Sequence, residues 1–196
     1  MRALTYFVAV SVDGFIAGPD RADPTGYWPV SEDYAEHVVA EYPETLTGAA
    51  RAGLGVTAAG THFDTVISGR RTYEIGLAAG VTNAYPHLRH VVFSRTLGLI
   101  PDPAVELIDS DPVEAVRAFK VESGKDIWLV GGGDLAGALY AEIDRIVLKL
   151  SPLTLGSGVG LFGSSGPFNV RGWRLVDHVV LASGAGFLTY AAESAG

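Results

Sequence analysis

Arg70, Arg71 and Arg95 each sit beside hydroxyl residues where an apolar run stops, and a third apolar run stops in three consecutive glycines. The segments are Val66-Ile67-Ser68-Gly69-Arg70-Arg71-Thr72, Val91-Val92-Phe93-Ser94-Arg95-Thr96 and Ile127-Trp128-Leu129-Val130-Gly131-Gly132-Gly133. Guanidinium groups are planar forks that grip phosphate oxygens in pairs, and Thr72, Ser94 and Thr96 add short hydroxyl donors. Glycines after a strand let the backbone approach a pyrophosphate closely, and a helix starting at Asp134 or Leu135 would turn unpaired amides toward that anion. Three such clusters in one chain predict a nucleotide-cofactor site. Two Arg-hydroxyl clusters exceed what one pyrophosphate needs, and the surplus matches the ribose phosphate that separates NADP from NAD. A standard Rossmann domain is disfavoured: the glycine spacing is not G-x-G-x-x-G, Glu142 follows too closely for the ribose ligand and Asp177 too distantly. Taken singly, Gly69–Thr72 could be a solvated surface turn and Gly131–Gly133 a flexible joint.

The elements that must position these clusters follow from hydrophobic period. Strands are expected at Ala3–Val10, Thr65–Ser68, His90–Ser94, Val105–Ile108, Ile127–Val130 and Arg145–Leu150, and helices at Arg71–Leu77, Pro112–Glu122 and Leu135–Ala141. Ser31 before Glu32 and Asp33 reads as a hydroxyl-capped helix start, with Tyr34, Val38, Val39 and Tyr42 marking an apolar face. A short helix is expected around Thr47–Ala52. Trp173–Ala182 and Phe187–Ala192, joined by Ser183-Gly184-Ala185-Gly186, read as a hairpin. Alternating strands and helices closed by a hairpin predict a three-layer α/β/α domain, residues 1–196 as one unit, with a mixed, mostly parallel central sheet and a C-terminal antiparallel hairpin.

Composition narrows the function classes. The chain has 196 residues, enough for one domain with a substantial core. Fourteen basic residues against twenty-two acidic ones argue against nucleic-acid or anionic-membrane partners, and so make local arginine clusters more telling. With no cysteine, thiolate chemistry and disulfides are out, which suits a cytoplasmic protein. Thr5, Ser11 and Asp13 interrupt the amino-terminal apolar stretch, so it reads as a buried strand rather than a leader. The five histidines lack metal-ligand spacing, and neither a G-x-S-x-G elbow nor a P-loop occurs, so no metal, serine hydrolysis or P-loop phosphoryl transfer is expected.

Further motifs carry a family resemblance. Ser11-Val12-Asp13-Gly14-Phe15-Ile16-Ala17, Gly69-Arg70-Arg71-Thr72-Tyr73-Glu74, Phe93-Ser94-Arg95-Thr96-Leu97, Val130-Gly131-Gly132-Gly133 and Ser151-Pro152-Leu153-Thr154-Leu155-Gly156-Ser157-Gly158 followed by Leu161-Phe162 span nearly the whole chain. In these the chain resembles the dihydrofolate reductase-like superfamily. It is more closely similar to stand-alone members of the C-terminal reductase domain family of bacterial bifunctional riboflavin-biosynthesis deaminase/reductases. The resemblance implies a dihydrofolate reductase-like fold and NADPH binding. Arg70 and Thr72 would lie at cofactor phosphates, Ser94 and Arg95 near the adenosine ribose phosphate, and Gly131–Gly133 under the pyrophosphate, with Ala9 and Ile16 flanking the nicotinamide. Gly69, Arg71, Thr96, Asp134 and Leu135 complete the expected cofactor set.

On the substrate side the match is thinner. Dihydrofolate reductases hold the pterin with a carboxylate five residues beyond a tryptophan, and Asp33 follows Trp28 at that spacing, which makes Asp33 the candidate catalytic residue. The competing reading is a helix-start residue facing water. His37, one turn on, could share its face and bind substrate, or be a solvated surface histidine. Lys149 interrupts a central strand where the family has a polar residue beneath the substrate. It either needs a buried partner, Asp33 or a substrate phosphate, or reaches water from a packed stem. The expected activity is hydride transfer from NADPH to a C=N or C=O carbon of a small polar heterocycle, a ribosylaminouracil-type compound first and a pterin second. The alternatives are a dihydrofolate/pterin reductase and a non-catalytic NADPH-binding protein, and a homodimer is the expected assembly.

Overall fold

A computed structural model describes residues 1–164 and 168–193. Eight strands form one sheet in the order β5 (Val105–Ile108), β4 (Arg89–Phe93), β3 (Phe63–Gly69), β6 (Asp126–Gly131), β1 (Leu4–Ser11), β7 (Arg145–Ser151), β10 (Gly186–Ala192) and β9 (Trp173–Val180). Every pairing from β5 to β7 is parallel, and the β7–β10 and β10–β9 pairings are antiparallel. The parallel strands therefore bring Ser11, Gly69, Phe93, Gly131 and Ser151 to one rim.

Strand alternation assigns the faces. Leu4, Tyr6, Val8 and Val10 of β1, with Ile67, Ile127 and Leu129, enter a core with Val116 and Phe119 of α4 (Pro112–Val121) and with Ala136 of α5 (Gly133–Ala138). Phe7, Val66, Trp128 and Val147 point the other way and pack with Val38 and, at its end, Tyr42 of α1 (Glu32–Glu41). Tyr73 of α3 (Arg70–Ala78) packs on Val92 on that same side. Period-two burial on two faces is what a central sheet covered by helices requires. The three layers, the mostly parallel sheet and the terminal hairpin agree with the sequence reading. β9 is an edge strand that leaves Leu175, Val176 and Val180 exposed.

Local differences have local causes. The hydroxyl of Ser31 does not cap α1; it donates to Asp33 Oδ1 at 2.5 Å instead. Thr47 does cap the short α2 (Gly48–Leu54), accepting from the Ala50 amide at 3.2 Å. The expected helix to Ala141 stops at Ala138 and passes through a 3-10 turn, Tyr140–Glu142. A small second sheet, β2 (Phe15–Ala17) with β8 (Val159–Gly160), was not foreseen, because two- and three-residue strands carry no readable period.

Candidate functional site

A single cleft of about 930 Å³ runs along the carboxyl rim of the parallel strands. From β4 to β7 it crosses four inter-strand steps, roughly 19 Å at about 4.8 Å each. Its lining takes in all three phosphate-type clusters: Gly69–Thr72 after β3, Ser94 and Arg95 after β4, and Gly131–Leu135 after β6. The second half of the cleft lies on the α1 and α3 face, where Phe7, Trp28, Tyr85, His90, Trp128 and Lys149 line it.

The glycines of the rim are required for two different reasons. Gly131 has φ 142°, a backbone conformation that a side chain disfavours. At Gly133 an added Cβ would sit 2.7 Å from both the Gly160 carbonyl oxygen and the Gly163 amide nitrogen, so the loop after β8 closes against it. At Gly132 an added Cβ would meet only Thr72 Oγ1, at 3.6 Å, which places a hydroxyl opposite a bare backbone surface.

The arginines differ in how far they are already engaged. Arg70 makes a long pair with Glu74 at 3.5 Å, and Arg71 one with Asp134 at 3.5 Å. Arg95 is exposed, lines the cleft and has no ion-pair or side-chain hydrogen-bond partner among the described residues. Ser94 Oγ accepts from the Thr96 and Leu97 amides at 3.1 and 2.9 Å, which fixes the turn that carries Arg95. Ser68 Oγ is buried in the lining without a partner among the described residues, so a polar acceptor or donor in the cleft is the group that could satisfy it.

These observations fit a phosphorylated dinucleotide. The cradle of bare glycine backbone, the hydroxyl of Thr72 opposite it, the amino end of α3 and an uncommitted guanidinium are what such a ligand needs. Ala9 and Ile16 line the cleft at the end of β1 and in β2, and Leu135 and Val159 complete its wall.

The same chain matches the model of the RibD C-terminal domain over residues 2–187. The chain belongs to the RibD C-terminal domain family. It is 29% identical over 167 residues to the uncharacterized protein YwjB of Bacillus subtilis (strain 168), covering 82% of this chain and 83% of that one. It is 30% identical over 122 residues to the uncharacterized protein YyaP of the same strain, covering 56% of this chain and 64% of YyaP. Among solved structures, it resembles a putative riboflavin biosynthesis protein from Shewanella sp. PV-4 with a TM-score of 0.68 and 21% identity, over 98% of this chain and 99% of that one. Dihydrofolate reductase from Enterococcus faecalis, complexed with NADP(H) and RAB-propyl, aligns with a TM-score of 0.64 and 18% identity over 98% and 97% of the two chains. The fold is thus dihydrofolate reductase-like.

Within this RibD C-terminal domain, three expected site residues, Asp33, His37 and Thr96, lie off the cleft. Asp33 does not line the cleft: its carboxylate accepts from Ser31 Oγ, from the Tyr34 amide at 2.8 Å and from the Ser183 amide at 2.9 Å. Those donors, Ser31 first, hold it down at about 2, so it is a carboxylate that ties α1 to the terminal hairpin and carries no proton to give. His37 also lies off the cleft, its ring 4.3 Å from that of Phe187. Thr96 is exposed outside the lining, its amide spent on the Ser94 turn. Asp134 lines the cleft as expected, and with its carboxylate paired with Arg21 at 2.6 Å it is the backbone at the start of α5 that faces the cleft.

Other residues in the lining escaped the sequence reading. Arg21 adopts φ 57° and, through its pair with Asp134, ties the segment after β2 to the start of α5 in the cleft lining. His90 is buried, holds Asn83 Oδ1 at 3.0 Å, and is pushed down by burial to about 4, so it is neutral. Asn83 and Tyr85 come from a loop with no periodic signal, and the ring of Tyr85 reaches Trp128 at 4.9 Å only through the tertiary fold. Among the described residues no cluster of three metal-type side chains occurs, and no helix is long and apolar enough to cross a membrane.

Proposed function

We propose that this protein is an NADPH-dependent reductase that passes hydride to a C=N or C=O carbon of a small polar substrate. One observation carries the reading: the Arg70–Thr72, Ser94–Arg95 and Gly131–Gly133 clusters meet in the lining of one cleft whose other half is lined by Phe7, Trp28, Tyr85 and Trp128. Membership of the RibD C-terminal domain family supports it, as does likeness to a fold whose Enterococcus faecalis representative is complexed with NADP(H). When bound, the reduced nicotinamide supplies the hydride, and the protein orients the reactants and excludes water.

In this reading, Arg95 and Ser94 hold the ribose phosphate, while Arg70, Thr72 and the glycine backbone hold the pyrophosphate. Ala9 and Ile16 give the nicotinamide an apolar seat. Phe7, Trp28 and Trp128 form the walls of the substrate half. A deaminase/5-amino-6-(5-phosphoribosylamino)uracil reductase from Thermotoga maritima has the same fold at 15% identity and a TM-score of 0.64, with this chain spanning 56% of its length. Ribosylaminouracils are therefore the first substrates to test, with pterins second. The test is calorimetric titration with NADPH and NADH, followed by NADPH oxidation over those compounds and small carbonyl compounds. Tight NADPH binding, weaker NADH binding and turnover of one class are expected; an empty cleft at saturating NADPH would refute the proposal.

A further inference from the structure

The chain has three lysines, and two of them are spoken for. Lys120 Nζ pairs with Asp144 at 2.7 Å and donates to the Glu142 carbonyl at 2.5 Å, and Lys125 Nζ donates to the Gly60 carbonyl. Lys149 has no hydrogen-bond or ion-pair partner among the described residues, and loss of solvent alone accounts for its lowered pKa, about 8. It is half-buried in the lining of the cleft, directly beside Ala9 in the β1–β7 register, with Nζ 4.6 Å from the centre of the Phe7 ring.

An ammonium in that position, offset only by a π face, is a donor without an acceptor. The charges that could have neutralised it are elsewhere. Asp33 is bound to the hairpin, and the acidic residues that line the cleft, Asp23 and Asp134, lie in the segment after β2 and directly after the glycines. Pterin-type recognition by a carboxylate therefore has no counterpart beside Lys149, and the local charge is of opposite sign.

We propose that Lys149 selects substrates that present a carbonyl oxygen to it and is the proton donor for their reduction. This rests on the reductase reading above and narrows its acceptor to C=O. The carbonyl carbon gains the hydride supplied by the reduced dinucleotide, the π pair of the C=O bond moves onto oxygen, and that oxygen takes a proton from Lys149 Nζ. The products are the alcohol and the oxidised dinucleotide, and the neutral amine regains its proton from water through the cleft mouth. An amine lowered to about 8 is better suited to this exchange than an ordinary lysine, since proton transfer is most efficient when donor pKa and working pH are close. The other titratable groups on this face are Tyr34, His37 and Tyr42 around Phe187, and Tyr85 and His90 across the cleft; His90 stays neutral above about 4 and the tyrosines named are raised, Tyr34, Tyr42 and Tyr85 to about 12.

Two measurements test this. Reductive methylation of the cofactor-free protein with formaldehyde and borohydride at pH 7, mapped by peptide mass, should label Lys149 before Lys120 and Lys125, and benzoate, a non-reducible stand-in for the carbonyl oxygen, should protect it. Lys149 labelled no faster than the other two, or unaffected by benzoate, overturns the inference without touching NADPH binding. In parallel, Lys149→Met should bind NADPH as the parent does yet lose on the order of 10²-fold in turnover of aldehydes and cyclic diketones, and Lys149→Arg, which keeps the charge but does not release its proton, should not restore that turnover. In the parent, turnover should fall as pH rises through about 8 and this limb should vanish in Lys149→Met. Turnover of C=N compounds alone, or a parent pH limb retained in Lys149→Met, also overturns it, whereas failure to bind NADPH at all would strike the reductase reading instead.

Discussion

Replacing Arg95 by Ala isolates the contact expected to distinguish the two dinucleotides. Arg95 is exposed on the cleft wall, and no side chain among the described residues pairs with it, so its removal should leave folding stability within about 0.5 kcal/mol of the parent. A charge-assisted hydrogen-bonded contact to a phosphate contributes about 1.5–3 kcal/mol. At about 1.4 kcal/mol per factor of ten, that is a loss of roughly 10- to 100-fold in NADPH affinity. NADH lacks the ribose phosphate, so its affinity should change by less than about threefold, the span of 0.5 kcal/mol. Calorimetry with both dinucleotides, or quenching of Trp28 and Trp128 fluorescence in the cleft lining, reads the difference directly, and raising the salt should shrink the NADPH penalty. Equal weakening of NADPH and NADH would refute the assignment of Arg95 to the ribose phosphate. So would unchanged binding of both.

The remaining predictions concern packing and protons. Gly133→Ala forces a methyl against backbone atoms 2.7 Å away and should cost about 1–3 kcal/mol of stability, seen as a lowered melting temperature, together with weaker NADPH binding. His90 is neutral when folded, with its pKa near 4 against 6.5 when unfolded, so the unfolded chain takes up the extra proton and stability should fall as pH drops from 6.5 to about 4, by about 3 kcal/mol in full. His90→Gln should flatten that part of a stability-against-pH curve, and an unaltered slope would contradict the burial argument. Asp33, held at about 2 when folded, contributes stability that is complete above its unfolded value near 4 and lost as pH falls toward 2. Asp33→Asn should therefore lower thermal stability at neutral pH, removing the difference in strong acid, while turnover per folded molecule stays near the parent's; a large fall in turnover at intact stability would restore a catalytic role to it.

The cleft half proposed to hold phosphate was legible because its signals are local. A β-branched run followed by Arg and a hydroxyl, or by three glycines, says strand, rim and anion within about seven residues. A parallel sheet then carries every such rim to the same side without further information. Gly133 shows the limit of that legibility: its glycine identity was visible, but the reason, the backbone of Gly160 and Gly163 against it, comes from another loop.

The substrate side was decided by contacts between residues far apart in the chain. Trp28 and Asp33 have a suggestive spacing, yet only Trp28 reaches the cleft, because Asp33 is captured by the Ser183 amide 150 positions away. Lys149 posed a choice between a buried and a solvated amine that strand alternation could not resolve, since alternation gives the face and not what stands opposite it. Packing resolved it by setting Phe7 beneath the ammonium and sending the nearest expected carboxylate to the hairpin. Element types, their order and the arginine-, hydroxyl- and glycine-rich rim are thus encoded in short stretches of residues, whereas the charge left facing the cleft at Lys149 depends on how α1 and the hairpin dock, which is a sum over distant contacts and leaves no short-range mark.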